Sequence, residues 1–105
     1  MSAADPILNR FRVALDALYG DRIERVVLFG SRARGDARIG SDYDVALFLN
    51  EPTDTWAEID SLTDLQLAIR DATGADIHTM PFRAGYWRDP SSPLMFEIRK
   101  DGIDL

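Results

Sequence analysis

Apolar positions along this chain change period several times, and each change marks an element. From Pro6 onward, Ile7, Phe11, Ala14 or Leu15, and Leu18 recur at helical spacing. Asp5 stands where an N-cap belongs, Pro6 takes the first helical position, and Gly20 ends the helix. Two short runs, 25-RVVLFG-30 and 44-DVALFLN-50, are rich in β-branched and aromatic residues and are closed by turn formers, so they read as strands buried on at least one face. A second helix is expected to start near Thr53 to Thr55, where Thr55 and Glu58 have capping-box spacing, and to run through Ile59, Leu62, Leu65 and Ile69 to Gly74. In 75-ADIHTMPF-82, Ala75, Ile77 and Thr79 alternate with Asp76, His78 and Met80, the pattern of a third strand exposed on one face. Asp76 and His78 then share a side. The stretch holding Gly85, Tyr86, Trp87, Asp89 and Pro90 reads as a loop. Ser92-Pro93 restarts a helix through Leu94 and Phe96 or Ile98, with its stop at Lys100-Asp101-Gly102.

This order predicts a small α/β domain spanning 1–105 as one unit, with the helices packed on one main face of a sheet whose strand order stays open. The 105 residues and 46 % hydrophobic content suffice for one core, and no internal repeat or low-complexity segment interrupts it. No apolar run approaches the roughly 18 residues of a membrane span, and the N-terminus lacks a basic-then-apolar signal pattern. A cytoplasmic location is the expectation. The absence of cysteine excludes disulfides, thiolate zinc sites and cysteine nucleophiles, so any metal must be held by oxygen ligands or by His78.

A formal charge of −6 argues against a broad grip on DNA or RNA, which depends on Lys and Arg neutralising phosphates. All but Lys100 of the 12 basic residues are arginine, and Arg32, Arg34 and Arg38 gather in 29-FGSRARGDARIGSDYDVALFL-49. Guanidinium groups suit bidentate contact with phosphate, although a solvated basic turn has the same composition.

The same segment carries the candidate chemistry. Glycine at a strand end lets a ligand approach the backbone, and the residues after it can open a helical turn whose free N–H groups face an anion; Gly30 and Ser31 fit both conditions. The Ser31 hydroxyl can reach a phosphate oxygen, and Arg32 or Arg34 can offset the remaining charge. Asp42 and Asp44, two residues apart at the mouth of a strand, project to one face. Adjacent carboxylates repel unless a proton or cation joins them, and hard oxygen ligands so placed suit Mg²⁺. Asp76, from another strand, adds a third carboxylate and allows a two-metal site for displacement at phosphorus. On composition alone Gly-Ser-Asp-Tyr-Asp is equally a polar turn, and Asp76 on its own reads first as a solvated strand residue. His78 reads first as structural, and otherwise as a proton acceptor or a substrate contact. Trp56 and Trp87 read as core or interface, Tyr43 as packing inward, and Met80, Phe82 and Tyr86 as packing.

Gly30-Ser31, ten residues, then Asp42-Tyr43-Asp44 resembles the GSx10DxD signature of the DNA polymerase β-like nucleotidyltransferase superfamily. More narrowly, the segment resembles the minimal nucleotidyltransferase (MNT) domains that serve as antitoxins in HEPN–MNT toxin–antitoxin pairs. Asp76 and the closing SPLMFEIRKDGIDL extend the likeness through most of the chain. The resemblance implies a small mixed sheet with flanking helices. It implies that Gly30 and Ser31 hold the β and γ phosphates of ATP, with Arg32, Arg34 and Ser41 as further nucleotide contacts. Asp42, Asp44 and Asp76 would bind Mg²⁺, and Asp76 would help deprotonate the acceptor. The activity implied is transfer of AMP from ATP to a tyrosine of a HEPN RNase toxin, which silences it. A chain this short leaves acceptor recognition to a loop or a partner, and its acidic charge suits a basic RNase. Two alternatives stand beside this: a non-catalytic antitoxin acting by occlusion, and a nucleotidyltransferase acting on an aminoglycoside-type small molecule.

Overall fold

Asp5 Oδ1 accepts the N–H groups of Ile7 (3.0 Å) and Leu8 (3.1 Å), a cap worth about 1 kcal/mol. It opens helix α1 (Pro6–Tyr19) in the computed structural model, which describes residues 5–38, 40–51 and 55–105. The buried stripe is Leu8, Phe11, Leu15 and Tyr19, rotated from the expected one, and Leu18 is exposed. Both stripes share Phe11 and Leu15, and Tyr19 settles the phase, being buried with its hydroxyl donating to Glu58 O at 3.5 Å. A 3-10 turn at Gly20–Arg22 leads into β1 (Ile23–Phe29). Then follow a one-turn helix α2 (Ser31–Arg34), β2 (Tyr43–Leu49), α3 (Thr55–Thr73) and β3 (Ile77–Arg83). A second 3-10 turn (Tyr86–Arg88), α4 (Pro93–Asp101) and the two-residue β4 (Ile103–Asp104) complete the order. Thr53, and with it the expected start of the second helix, lies outside the described residues, as does the Thr55 side chain on which the capping box rests.

The four strands form one mixed sheet in the order β3-β2-β1-β4. β1 runs antiparallel to β2 and β4, while β2 and β3 are parallel, with α3 as their crossover. The antiparallel pair sets Phe29 opposite Asp44, and the parallel pair sets His78 opposite Asp44. One end of the sheet therefore collects Gly30, Asp42, Asp44 and His78.

The expectation that the helices share one face is corrected. α1 and α3 pack on the face made by Val26, Leu28, Tyr43, Val45, Leu47, Leu49 and Ile77. α4 instead packs on the opposite face, where Met95 and Ile98 meet Val27, Phe29, Ala46 and Phe48. The reason lies in β1 and β2, whose runs VVLF and VALFL are apolar on both faces and need cover on both. Phe82 stacks on Phe48 (centroids 5.5 Å) and Tyr86 on Phe82 (5.6 Å), which anchors the stretch read as a loop. Trp56, by contrast, is largely exposed.

Two ends of the sheet are finished differently. On the β3 edge, Gln66 Oε1 accepts the Thr79 N–H at 2.7 Å and Pro81 has no N–H to offer, so the edge is a poor template for another strand. On the β4 edge, Gly102 has an ordinary φ of −63°. Glycine is required there by space, because a Cβ would run into Ile98 O and Val27 Cγ1. At the end remote from Asp44, Arg22 pairs with the buried Glu58 (3.1 Å). Burial, and then the Glu58 charge, push the Tyr19 phenol up to about 12. No helix among the described residues is long and apolar enough to cross a membrane.

Candidate active site

β1 ends at Phe29, and Gly30 then takes φ +76°, which strains any residue carrying a Cβ. A Cβ at Gly30 would also come within 2.6 Å of Asp44 Oδ2. The loop backbone and the Asp44 carboxylate are thus in direct apposition. α2 follows at once: Gly30 O accepts the N–H groups of Ala33 and Arg34, and Gly35, with φ +81°, closes the turn. The first N–H groups of such a turn have no intrahelical acceptor and point out of its start.

Strand alternation sends Asp42 and Asp44 to the face that α4 covers and Tyr43 to the other. Tyr43 is buried, and its hydroxyl donates to Asp5 Oδ2 at 3.1 Å, tying the cap of α1 to the carboxylate strand. Burial, and then the Asp5 charge, raise its phenol above the usual value. Asp42 Oδ2 lies 2.9 Å from His78 Nε2, with the Asp42 side chain 49 % and the His78 side chain 61 % exposed, so a ligand can reach both. Asp76 sits just before β3, where its carbonyl accepts the Tyr43 N–H at 2.9 Å. Its carboxylate is 3.4 Å from Arg70 Nε.

Gly30, Asp42, Asp44 and His78 are therefore brought together, while Asp76 stands beside them paired to Arg70. Among the described residues, no three acidic or imidazole groups converge as a ready metal cage. The donors on hand are the Asp42 carboxylate, half open to solvent, and the partly buried Asp44 carboxylate beside a loop whose backbone is bared by glycine. That set fits Mg²⁺, which takes one or two carboxylates and completes its shell with substrate phosphate and water.

The arginines divide. Arg32 donates from Nε (2.9 Å) and Nη2 (2.6 Å) to Ser41 O, and its guanidinium lies 4.0 Å from the Tyr43 ring centroid. It is turned to the α1/α3 side, away from the carboxylates. The Ser41 hydroxyl accepts the Arg38 N–H at 2.9 Å. Arg32 and Ser41, grouped on sequence as nucleotide contacts, here tie down the loop between α2 and β2. Arg34 bridges from α2 to α4, with Nη1 2.9 Å from Glu97 Oε1, and its Nε lies 3.3 Å from Asp36 Oδ2. Trp87 belongs to the remote end, between the guanidinium groups of Arg25 and Arg88 with its Nε1–H on Glu24. Asp5, Glu97 and Arg70 are neighbours that sequence reasoning missed as parts of the site. Asp5 was visible only as a cap, and Glu97 and Arg70 gave no signal beyond charge on a helix surface.

The nucleotidyltransferase domain family matches residues 8–86 of the chain. A Methanocaldococcus jannaschii protein named "Putative protein adenylyltransferase" is 40 % identical over 45 residues, which are 43 % of this chain and 46 % of that protein. The match thus spans about half the length of that relative. Among solved structures, a "putative nucleotidyltransferase" of Sulfolobus solfataricus superimposes with a TM-score of 0.64 at 17 % identity, over 93 % of this chain and 75 % of its own. A toxin–antitoxin structure with AMP-PNP gives 0.62 at 20 % identity, over 90 % of this chain and 69 % of its own. A mutant MntA–HpeT toxin–antitoxin structure also gives 0.62, at 18 % identity over the same shares. These likenesses establish the fold. The family match covers Gly30, Ser31, both strand aspartates and Asp76, and with it the chain belongs to the nucleotidyltransferase domain family.

Proposed function

We propose that this chain is a Mg²⁺-dependent protein adenylyltransferase that moves AMP from ATP onto a tyrosine of a cytoplasmic HEPN toxin and thereby acts as its antitoxin. The observation that carries the reading is the apposition of the Gly30 backbone to Asp44 Oδ2, with Asp42 on the same face, since this sets a phosphate loop against a carboxylate pair. The AMP-PNP in one structural neighbour and the adenylyltransferase name of the M. jannaschii relative are consistent with ATP as donor.

Each residue has a task in this reading. Gly30 lets the β and γ phosphates close on the backbone, where the Ser31 hydroxyl and the first N–H groups of α2 donate to them. Asp42 and Asp44 would hold Mg²⁺, which supplies charge neutralisation for the triphosphate and for the displaced oxygens. Arg34, at the rim, can turn from Glu97 to a phosphate. Asp76, released from Arg70, accepts the proton of the acceptor hydroxyl. The acceptor oxygen forms a bond to the α phosphorus, the bond from that phosphorus to the bridging oxygen of the β phosphate breaks, and pyrophosphate leaves.

The test is intact-mass spectrometry of a HEPN toxin after incubation with this chain, ATP and Mg²⁺. One or more AMP increments on the acceptor, absent with Asp42→Asn/Asp44→Asn, are expected. A stable complex that neutralises the toxin without any mass gain would replace this reading with occlusion.

A further inference from the structure

The geometry points to a docking groove for a partner protein's acceptor segment, running round the free edge of β3 from the outer face of α3 to Asp76 and His78. It rests on the transferase reading above and deepens it. The sheet order β3-β2-β1-β4 puts Gly30 and Ser31 on one flank of the Asp42/Asp44 pair and Asp76 and His78 on the other. With the triphosphate on the β1 and α2 flank, an in-line acceptor has to arrive across β3.

A cavity of about 170 Å³ lies on that path, between Thr63, Gln66, Leu67 and Arg70 of α3 and Asp76 and His78. α3 is the crossover between parallel strands, so its C-terminal end lies at the catalytic end of the sheet. Along it, Trp56, Ile59, Thr63, Leu67 and Arg70 follow one another at spacings of three and four residues and form an outward stripe that leads into the cavity. Trp56 is 77 % and Leu67 58 % exposed, so the core does not account for these apolar groups. Continuity between stripe, cavity and Asp76 makes them one surface.

The surface also selects its occupant. Gln66 already takes the Thr79 N–H and Pro81 has none, so the partner is held by side chains rather than by adding a strand. Exposed Asp60, Asp64 and Asp71 flank the stripe. An apolar stripe with a carboxylate margin fits a protein segment that carries an apolar anchor, basic neighbours and a hydroxyl-bearing acceptor. A polyhydroxylated small cation would use the carboxylates and leave Leu67 idle.

The experiment uses the full chain, a HEPN toxin as the partner protein, and Leu67→Arg, which keeps a good helix former at an exposed site. Partner affinity is read by calorimetry, transfer by intact mass, and the nucleotide side by Mg-AMP-PNP affinity. Leu67→Arg is expected to weaken partner binding and raise the acceptor KM by about tenfold or more, with kcat and Mg-AMP-PNP affinity within about twofold. Thr63→Arg should repeat the effect, and Ala68→Arg, off the stripe, should not. Wild-type binding and KM in Leu67→Arg would overturn the groove while leaving the transferase intact. Partner binding that depends on Leu67 but yields no AMP increment would keep the groove and overturn the transferase.

Discussion

The two faces of β2 differ in a way that separates stability from chemistry. On one face Tyr43, Val45, Leu47 and Leu49 are all buried under α1 and α3, and even the polar atom at the end, the Tyr43 hydroxyl, is satisfied by Asp5. On the other face Asp42 just precedes the strand and Asp44 opens it, and the face turns apolar only at Ala46 and Phe48, where α4 and Phe82 cover it. One strand thus serves a closed core along its whole length on one side and an open acidic mouth on the other. The lesson is that the site is held from behind: the carboxylates face solvent because the residues between and after them are locked into the opposite face.

The sharpest way to break this comparison is Asp44→Asn. Transfer should fall by about 10³-fold, because one of the two carboxylates proposed to hold Mg²⁺ is gone. The urea midpoint should stay level or rise, since a like-charge neighbour of Asp42 has been removed. Phe11→Ala, behind the sheet, should do the reverse. It should cost about 3–5 kcal/mol of stability in urea titrations, while the transfer rate per folded molecule holds. A matching loss of stability in Asp44→Asn would mean that the mouth is structural. Gly30→Ala falls on the seam between the two. The positive φ and the Asp44 carboxylate against the new Cβ should cost about 1–3 kcal/mol and lower Mg-AMP-PNP affinity as well.

A smaller effect concerns pH. The folded Tyr19 phenol is pushed up to about 12 from an ordinary value near 10, so the fold favours its neutral form. That contribution is complete below pH 10 and is lost as pH rises from 10 through 12. Tyr19→Phe should flatten part of the alkaline fall in the urea midpoint over that range, while transfer at neutral pH stays as it was. An alkaline slope identical to wild type would remove Tyr19 from the account.

Much of this was legible in the order of residues. Asp5-Pro6 and Ser92-Pro93 carry their caps in plain view, and both act as such, with Ser92 Oγ accepting the Met95 N–H at 3.2 Å. The period-2 pattern of β3 and the apolar runs of β1 and β2 named the strands. What the sequence did not disclose was relational. α4 is amphipathic whichever face it covers, and only the two-sided burial of β1 and β2 decides that it goes opposite α1 and α3. β4 is two residues long, below any periodicity, and exists because Gly102 lets the chain pass close to Val27. At the site, the i and i+2 rule set Asp42 and Asp44 toward one face, where Asp42 meets His78 and Asp44 comes against Gly30. It had no means of knowing that Arg32 would turn back to Ser41 and Tyr43, or that Arg70 would take Asp76, since those contacts depend on where α2 and α3 end in three dimensions.

The central claim is nucleotidyl transfer at a site framed by Gly30, Ser31, Asp42 and Asp44. The most direct measurement is a paired transfer assay with ATP labelled at the α phosphate or at the γ phosphate, using the proposed toxin partner as acceptor. Label is expected on the acceptor from the α position alone, dependent on Mg²⁺ and lost in Asp42→Asn/Asp44→Asn. Label arriving from the γ position, or α label that survives in that variant, would contradict it.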